Sequence, residues 1–146
     1  MKTVDTKYEG GLRTSSVHLK SQNTFQTDAP IDNNGKGETF SPTDTVAAAL
    51  GSCMMTVMAI AGEKKNLDMT GMNLSTEKVM SANPRRIAAL KVDFYWDDCP
   101  LNEVQKMWIK DIGLNCPVAL SLHPELRQEI NFHFWTKSKY YQFLNS

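Results

Sequence analysis

Hydrophobic and polar positions alternate in some stretches of the chain and cluster in others, and these changes of period mark out its elements. From Tyr8 to Asp28 the residues are rich in Thr, Ser, Val and His, with Gly10 and Gly11 as a turn signal. Ser15–Lys20 and Thr24–Thr27 read as short antiparallel strands between polar turns. Ala29–Glu38 (APIDNNGKGE) is dense in Pro, Asn, Asp and Gly, which predicts a loop with positive φ angles. The pattern then changes to the most apolar run of the chain, VAAALGSCMMTVMAIA from Val46 to Ala61. Ser41 suits an N-cap, Pro42 the first helical position and Asp44 the N3 position of a capping box, so a helix is expected from Pro42 to Lys65. It is apolar on nearly every face, which predicts a central helix enclosed by a sheet or a second subunit. An apolar run of roughly 16 residues, interrupted by Gly51, Ser52 and Thr56, falls short of the roughly 20 needed to cross a bilayer.

Beyond Met72 strand-like runs return. NLSTEKVM and RIAALKVDFYW flank the turn chemistry of Ser81–Arg85 and predict a hairpin. Leu101–Leu114 carries Leu101, Val104, Met107, Trp108 and Ile112 at helical spacing, so it should cover a sheet face. Asn115 is expected as N-cap of a following helix with Pro117 near its start, and Gln128–Trp135 alternates as a last strand. The order βββαββααβ, with strands in antiparallel groups, predicts an α+β fold in a single domain. The tail TKSKYYQFLNS carries no signal.

Composition narrows the function classes. Sixteen Lys and Arg balance sixteen Asp and Glu, so no cationic field favours nucleic acid or an anionic membrane as partner. The start, MKTVDTKYEGG, shows no apolar signal segment, which gives a cytoplasmic expectation. Cys53, Cys99 and Cys116 are odd in number and widely spaced, unlike a disulfide framework. Without CxxC or a Cys/His cluster, neither a metal nor a nucleotide cofactor is expected; Gly35-Lys36-Gly37 is too little of a phosphate-binding loop.

Cys53 in its apolar helix and Cys116 at a helix start then raise the chemistry of paired thiols. A thiolate that attacks a peroxide oxygen is left as a sulfenic acid, and a second thiol can convert that acid to a reducible disulfide before it over-oxidises. Burial raises a thiol's pKa, so Cys53 needs a cation. Arg13 in GGLRTSS is preferred over Arg85 and Arg86 in the hairpin turn. Cys116 would gain from the donors at its helix N-terminus. Leu50, Met54, Met55 and Met58 around Cys53 would suit an organic hydroperoxide with an alkyl tail. Against this stands the plainer reading of each cysteine as a small core residue, which is also the reading for Cys99.

The run TDAPIDNNGKGETFSPTDTVAAALGSCMMTVM, then NPRRI, then CPVALSLHPEL resembles the osmotically inducible protein C and organic hydroperoxide resistance (OsmC/Ohr) family, from about Tyr8 to Trp135. The resemblance implies an intertwined homodimer whose sheets wrap central cysteine-bearing helices. It implies a peroxidase acting on organic hydroperoxides and recycled by a dithiol reductant such as a lipoylated protein. Cys53 matches the peroxidatic cysteine, Cys116 the resolving cysteine, and Arg13 the arginine that pairs with the thiolate. One position departs: the family's glutamate after the helix-opening proline, which braces the arginine, is Thr43 here, with Asp44 and Glu38 as the nearest acids. The alternative is a redox-sensing or small-molecule-binding protein of the same fold without turnover. A third reading is a structural dimer whose two cysteines never meet.

Overall fold

The computed structural model describes residues 1–135; the tail from 136 to 146 lies outside the described residues. The elements are β1 (Val4–Gly10), β2 (Arg13–His18), β3 (Thr24–Asp28), α1 (Pro42–Glu63), β4 (Asn73–Ala82), β5 (Arg85–Trp96), α2 (Glu103–Leu114), α3 (Pro117–Ser121) and β6 (Arg127–Phe134). This is the expected order in an α+β fold, and it forms two compact units, Met1–Val46 and the chain from Ala47 onward.

In the first unit β1, β2 and β3 form an antiparallel sheet in chain order. The β1–β2 turn uses Gly10 and Gly11, both at positive φ, as their sequence suggested. β1 begins at Val4, ahead of the Tyr8 expected from composition. All but its last residue are exposed, so no buried face imposes an alternation that could reveal the strand. Arg13 and Asp28 are cross-strand partners at the end of the β2–β3 ladder. The following loop turns back on Ala29: Gly35 lies so close that a Cβ there would meet the Ala29 carbonyl oxygen at 1.6 Å, and Gly37 N–H bonds that same oxygen. The expected capping box opens α1, with Asp44 N–H donating to Ser41 Oγ at 3.1 Å and Ser41 N–H to the Asp44 carboxylate at 2.8 Å.

The second unit holds the core. β4 and β5 form the predicted antiparallel hairpin through a cis Asn83–Pro84 bond. β6, however, pairs parallel to β5, which corrects the expectation of wholly antiparallel sheets. Its cause is the connection: α2 and α3 intervene between β5 and β6 and return the chain to the starting end of β5, the crossover that a parallel neighbour needs. Every second residue of β5 from Leu90 to Trp96 is buried. Phe94 stacks on Phe132 of β6 at 4.9 Å, and Trp96 meets Phe134 edge-on at 5.6 Å.

The apolar run proves to be a helix of 22 residues, long and apolar enough by length and composition to cross a membrane, which the shorter count had argued against. Its buried positions within the single chain, Ala47, Leu50, Gly51, Met54, Met58 and Gly62, form one stripe. Gly51 admits the Leu74 side chain of β4, and Gly113 of α2 admits Met58. Leu50, Met54 and Met58 have no exposed surface. Each contributes about 1.5–3 kcal/mol by leaving water. Ala48, Ala49, Thr56 and Ile60 on the other faces are exposed.

Candidate functional site

Cys53 precedes the buried Met54 on α1 and is half-buried, not fully enclosed as the apolar run suggested. Cys116 has no exposed surface. It is itself the N-cap of α3, because Pro117 takes the first helical position; Asn115, expected in that role, instead closes α2. Ala119 N–H donates to the Cys116 sulfur at 3.4 Å. The expected net gain for its thiolate does not follow. Burial pushes the Cys116 thiol up, the Ala119 N–H pulls it down, and the neighbouring Cys53 thiol pushes it up further. A five-residue helix offers too few aligned peptide groups to overcome that desolvation.

The two sulfurs therefore adjoin, with different surroundings. Charge on Cys53 would make ionisation of Cys116 harder, so the proton stays on the buried Cys116 thiol. Such nearness is what a disulfide between them would require. Cys99 is almost fully buried, and desolvation raises its thiol, in keeping with a structural role.

The residues expected to supply a substrate pocket behave differently. Leu50, Met54 and Met58 point into the core and are closed to any substrate tail. Met55 lines a cavity of about 320 Å³ with Thr56, Ala59, Leu67, Met69 and Met72, and Cys53 is not among the lining residues.

In the first unit Arg13 is held by two carboxylates. Its Nε and Nη2 donate to the two oxygens of Asp28 at 2.7 and 2.8 Å, and Nη2 also donates to Glu38 at 2.7 Å. Asp28 is 1% exposed and Glu38 63% exposed. Asp28 also accepts the Glu38 N–H at 3.1 Å. Arg13 holds the Asp28 carboxyl below the usual carboxylate range against the opposing effect of burial; Asp28, then Glu38, raises the guanidinium further. Of the two acids offered as support, Glu38 reaches Arg13, whereas Asp44 is occupied in the α1 capping box. Asp28 was not anticipated. The signal available was the strand pairing itself, since a β2–β3 hairpin sets the last residue of β3 opposite the first of β2. Arg86 of the hairpin turn is engaged with Glu125 at 2.6 Å.

A family model described as OsmC-like protein matches residues 35–131. The chain belongs to the OsmC-like family. No curated protein matches it. A solved structure from Psychrobacter arcticus, provisionally described as an osmotic stress induced and detoxification response protein, is 40% identical. The alignment covers 91% of this chain and 96% of that one, with a TM-score of 0.86. The fold is shared by more distant members. An organic hydroperoxide resistance protein OsmC from Legionella pneumophila is 15% identical with a TM-score of 0.69, over 91% and 98% of the two chains. The organic hydroperoxide resistance protein OhrB of Bacillus subtilis is 13% identical with a TM-score of 0.61, over 90% and 98%.

Proposed function

We propose that this OsmC-like protein is a thiol peroxidase that reduces organic hydroperoxides. The observation that carries the reading is the adjacency of a half-buried Cys53 and a fully buried Cys116 whose thiol keeps its proton. The Cys53 thiolate attacks the terminal peroxide oxygen, the O–O bond breaks, and the alkoxide leaves as the alcohol after taking a proton. Sulfur is oxidised to the sulfenic acid. The Cys116 sulfur then attacks Cys53, the hydroxide departs with the thiol proton as water, and a disulfide remains. A dithiol such as a lipoylated protein returns both thiols by exchange.

Arg13 acts as the cation that favours the thiolate and orients the peroxide, in a homodimer that works in the cytoplasm. Steady-state turnover of an alkyl hydroperoxide with dihydrolipoyl reductant tests the proposal. Wild type turns over and Cys53→Ser does not. A single oxidation of Cys53 with no turnover on any dithiol would favour the sensing alternative.

A further inference from the structure

Resting on the reading that Arg13 assists Cys53, we infer that Asp28 is the positioning residue that aims the Arg13 guanidinium and leaves Nη1 as its reacting donor. A guanidinium presents five N–H donors in a rigid plane, so fixing one edge fixes the direction of the rest. Asp28 takes the Nε–Nη2 edge through two short bonds in fork-to-fork geometry. Among the described residues Nη1 donates to none. Of the guanidinium nitrogens, Nη1 is the one left free for a thiolate or a peroxide oxygen.

Three features make Asp28, rather than Glu38, the element that sets the aim. Its carboxylate is buried, so bulk water does not compete with Arg13 for the carboxylate oxygens. Its backbone is tied on both sides: it is the register partner of Arg13, and its N–H donates to the Phe40 carbonyl at 3.0 Å. Its second oxygen also receives the Glu38 N–H, so the side chain is held by the loop as well as by the arginine. Glu38 meets Nη2 from an exposed loop position, where screening and side-chain freedom weaken an ion pair.

The arrangement also accounts for Thr43 standing after Pro42. With a carboxylate supplied from β3, the arginine is braced within its own hairpin and needs no acid from the start of α1. Asp44, one position on, caps the helix.

The test follows the rate of Cys53 oxidation by an alkyl hydroperoxide across pH in wild type, Arg13→Met, Asp28→Asn, Asp28→Glu, Glu38→Gln and the Arg13→Met/Asp28→Asn double variant. A misplacement of about 1 Å costs up to about 100-fold, so Asp28→Asn is expected to slow oxidation at least about 10-fold and to move the pH profile toward higher pH. Glu38→Gln should slow it by no more than about three-fold, and Asp28→Glu should restore part of the loss. On the Arg13→Met background the Asp28→Asn change should have no further effect, a readout that a merely destabilised sheet would not give. An unchanged rate in Arg13→Met would overturn the arginine reading itself. A slow Arg13→Met with a fast Asp28→Asn, or an Asp28→Asn loss that persists in full on the Arg13→Met background, would overturn the role of Asp28 alone. Should Asp28→Asn fail to fold, Asp28→Glu decides: its lengthened carboxylate must alter the pH profile if Asp28 sets the aim.

Discussion

Replacing Gly113 by alanine probes the helix contact on which the two thiols depend. The added Cβ would lie 2.7 Å from Met58 Sδ, 3.2 Å from Met58 Cγ and 3.8 Å from Met54 Cε. Ordinary contact begins at 3.4 Å, so the nearest atom must yield by roughly 0.7 Å. Met58 is fully buried, although methionine is the most compliant of core side chains. Alanine gains about 1 kcal/mol of helix propensity over glycine, whereas overpacking costs about 1–3 kcal/mol. The compliance of methionine favours the lower half of that range, so the net loss is about 0–1 kcal/mol and Tm falls by no more than about 5 °C.

The effect on chemistry should be larger than the effect on stability. Met54 follows Cys53, and Gly113 lies three residues before Cys116. A shift of a few tenths of an ångström between α1 and α2 lengthens the approach that the sulfurs must make to reach a bond of about 2.05 Å. Disulfide formation after one equivalent of hydroperoxide is expected to slow about 3–10-fold, followed by quenched-flow trapping of thiols and a thermal melt of the same sample. An unchanged disulfide rate together with the small fall in Tm would refute the argument that helix spacing governs resolution. A rise in Tm would refute the packing estimate.

Two further outcomes follow from the core. Thr76 Oγ1 is buried without a hydrogen-bond partner among the described residues, opposite the fully buried Val92, so Thr76→Val should stabilise the fold by about 1 kcal/mol, read as a higher denaturant midpoint with an unchanged slope. Cys99 and Cys116 both have thiols raised by burial. Below the ordinary thiol range folded and unfolded chains alike hold these protons, but above it the unfolded chain loses them first. Stability should therefore decline from about pH 8 to about pH 10, and Cys99→Ala should flatten that decline in a series of melts.

The sequence announced the elements whose cause is local. The capping box of Ser41 and Asp44, the Gly10–Gly11 turn and the hairpin around Pro84 each follow from a few adjacent residues. What could not be read locally was set by pairing. The parallel placement of β6 depends on where α2 and α3 return the chain, and β1 carries no burial pattern to reveal it. The site divides in the same way. Cys53 and Cys116 could be nominated from their motifs, but the balance at Cys116 depends on burial, which a motif does not state. The partner of Arg13 was sought near Pro42 because a family glutamate was expected there. Asp28 became visible only through the β2–β3 register, and Asp44 was withdrawn by its duty at the helix cap.

The central claim is that Cys53 reacts first and Cys116 resolves it. Its most direct measurement is intact-mass and free-thiol analysis of wild type, Cys53→Ser and Cys116→Ser after stoichiometric organic hydroperoxide. The account predicts loss of two thiols and a Cys53–Cys116 disulfide in wild type, no rapid loss in Cys53→Ser, and sulfinic or sulfonic Cys53 in Cys116→Ser. Equal, slow oxidation of Cys53, Cys99 and Cys116 in all three proteins would contradict it.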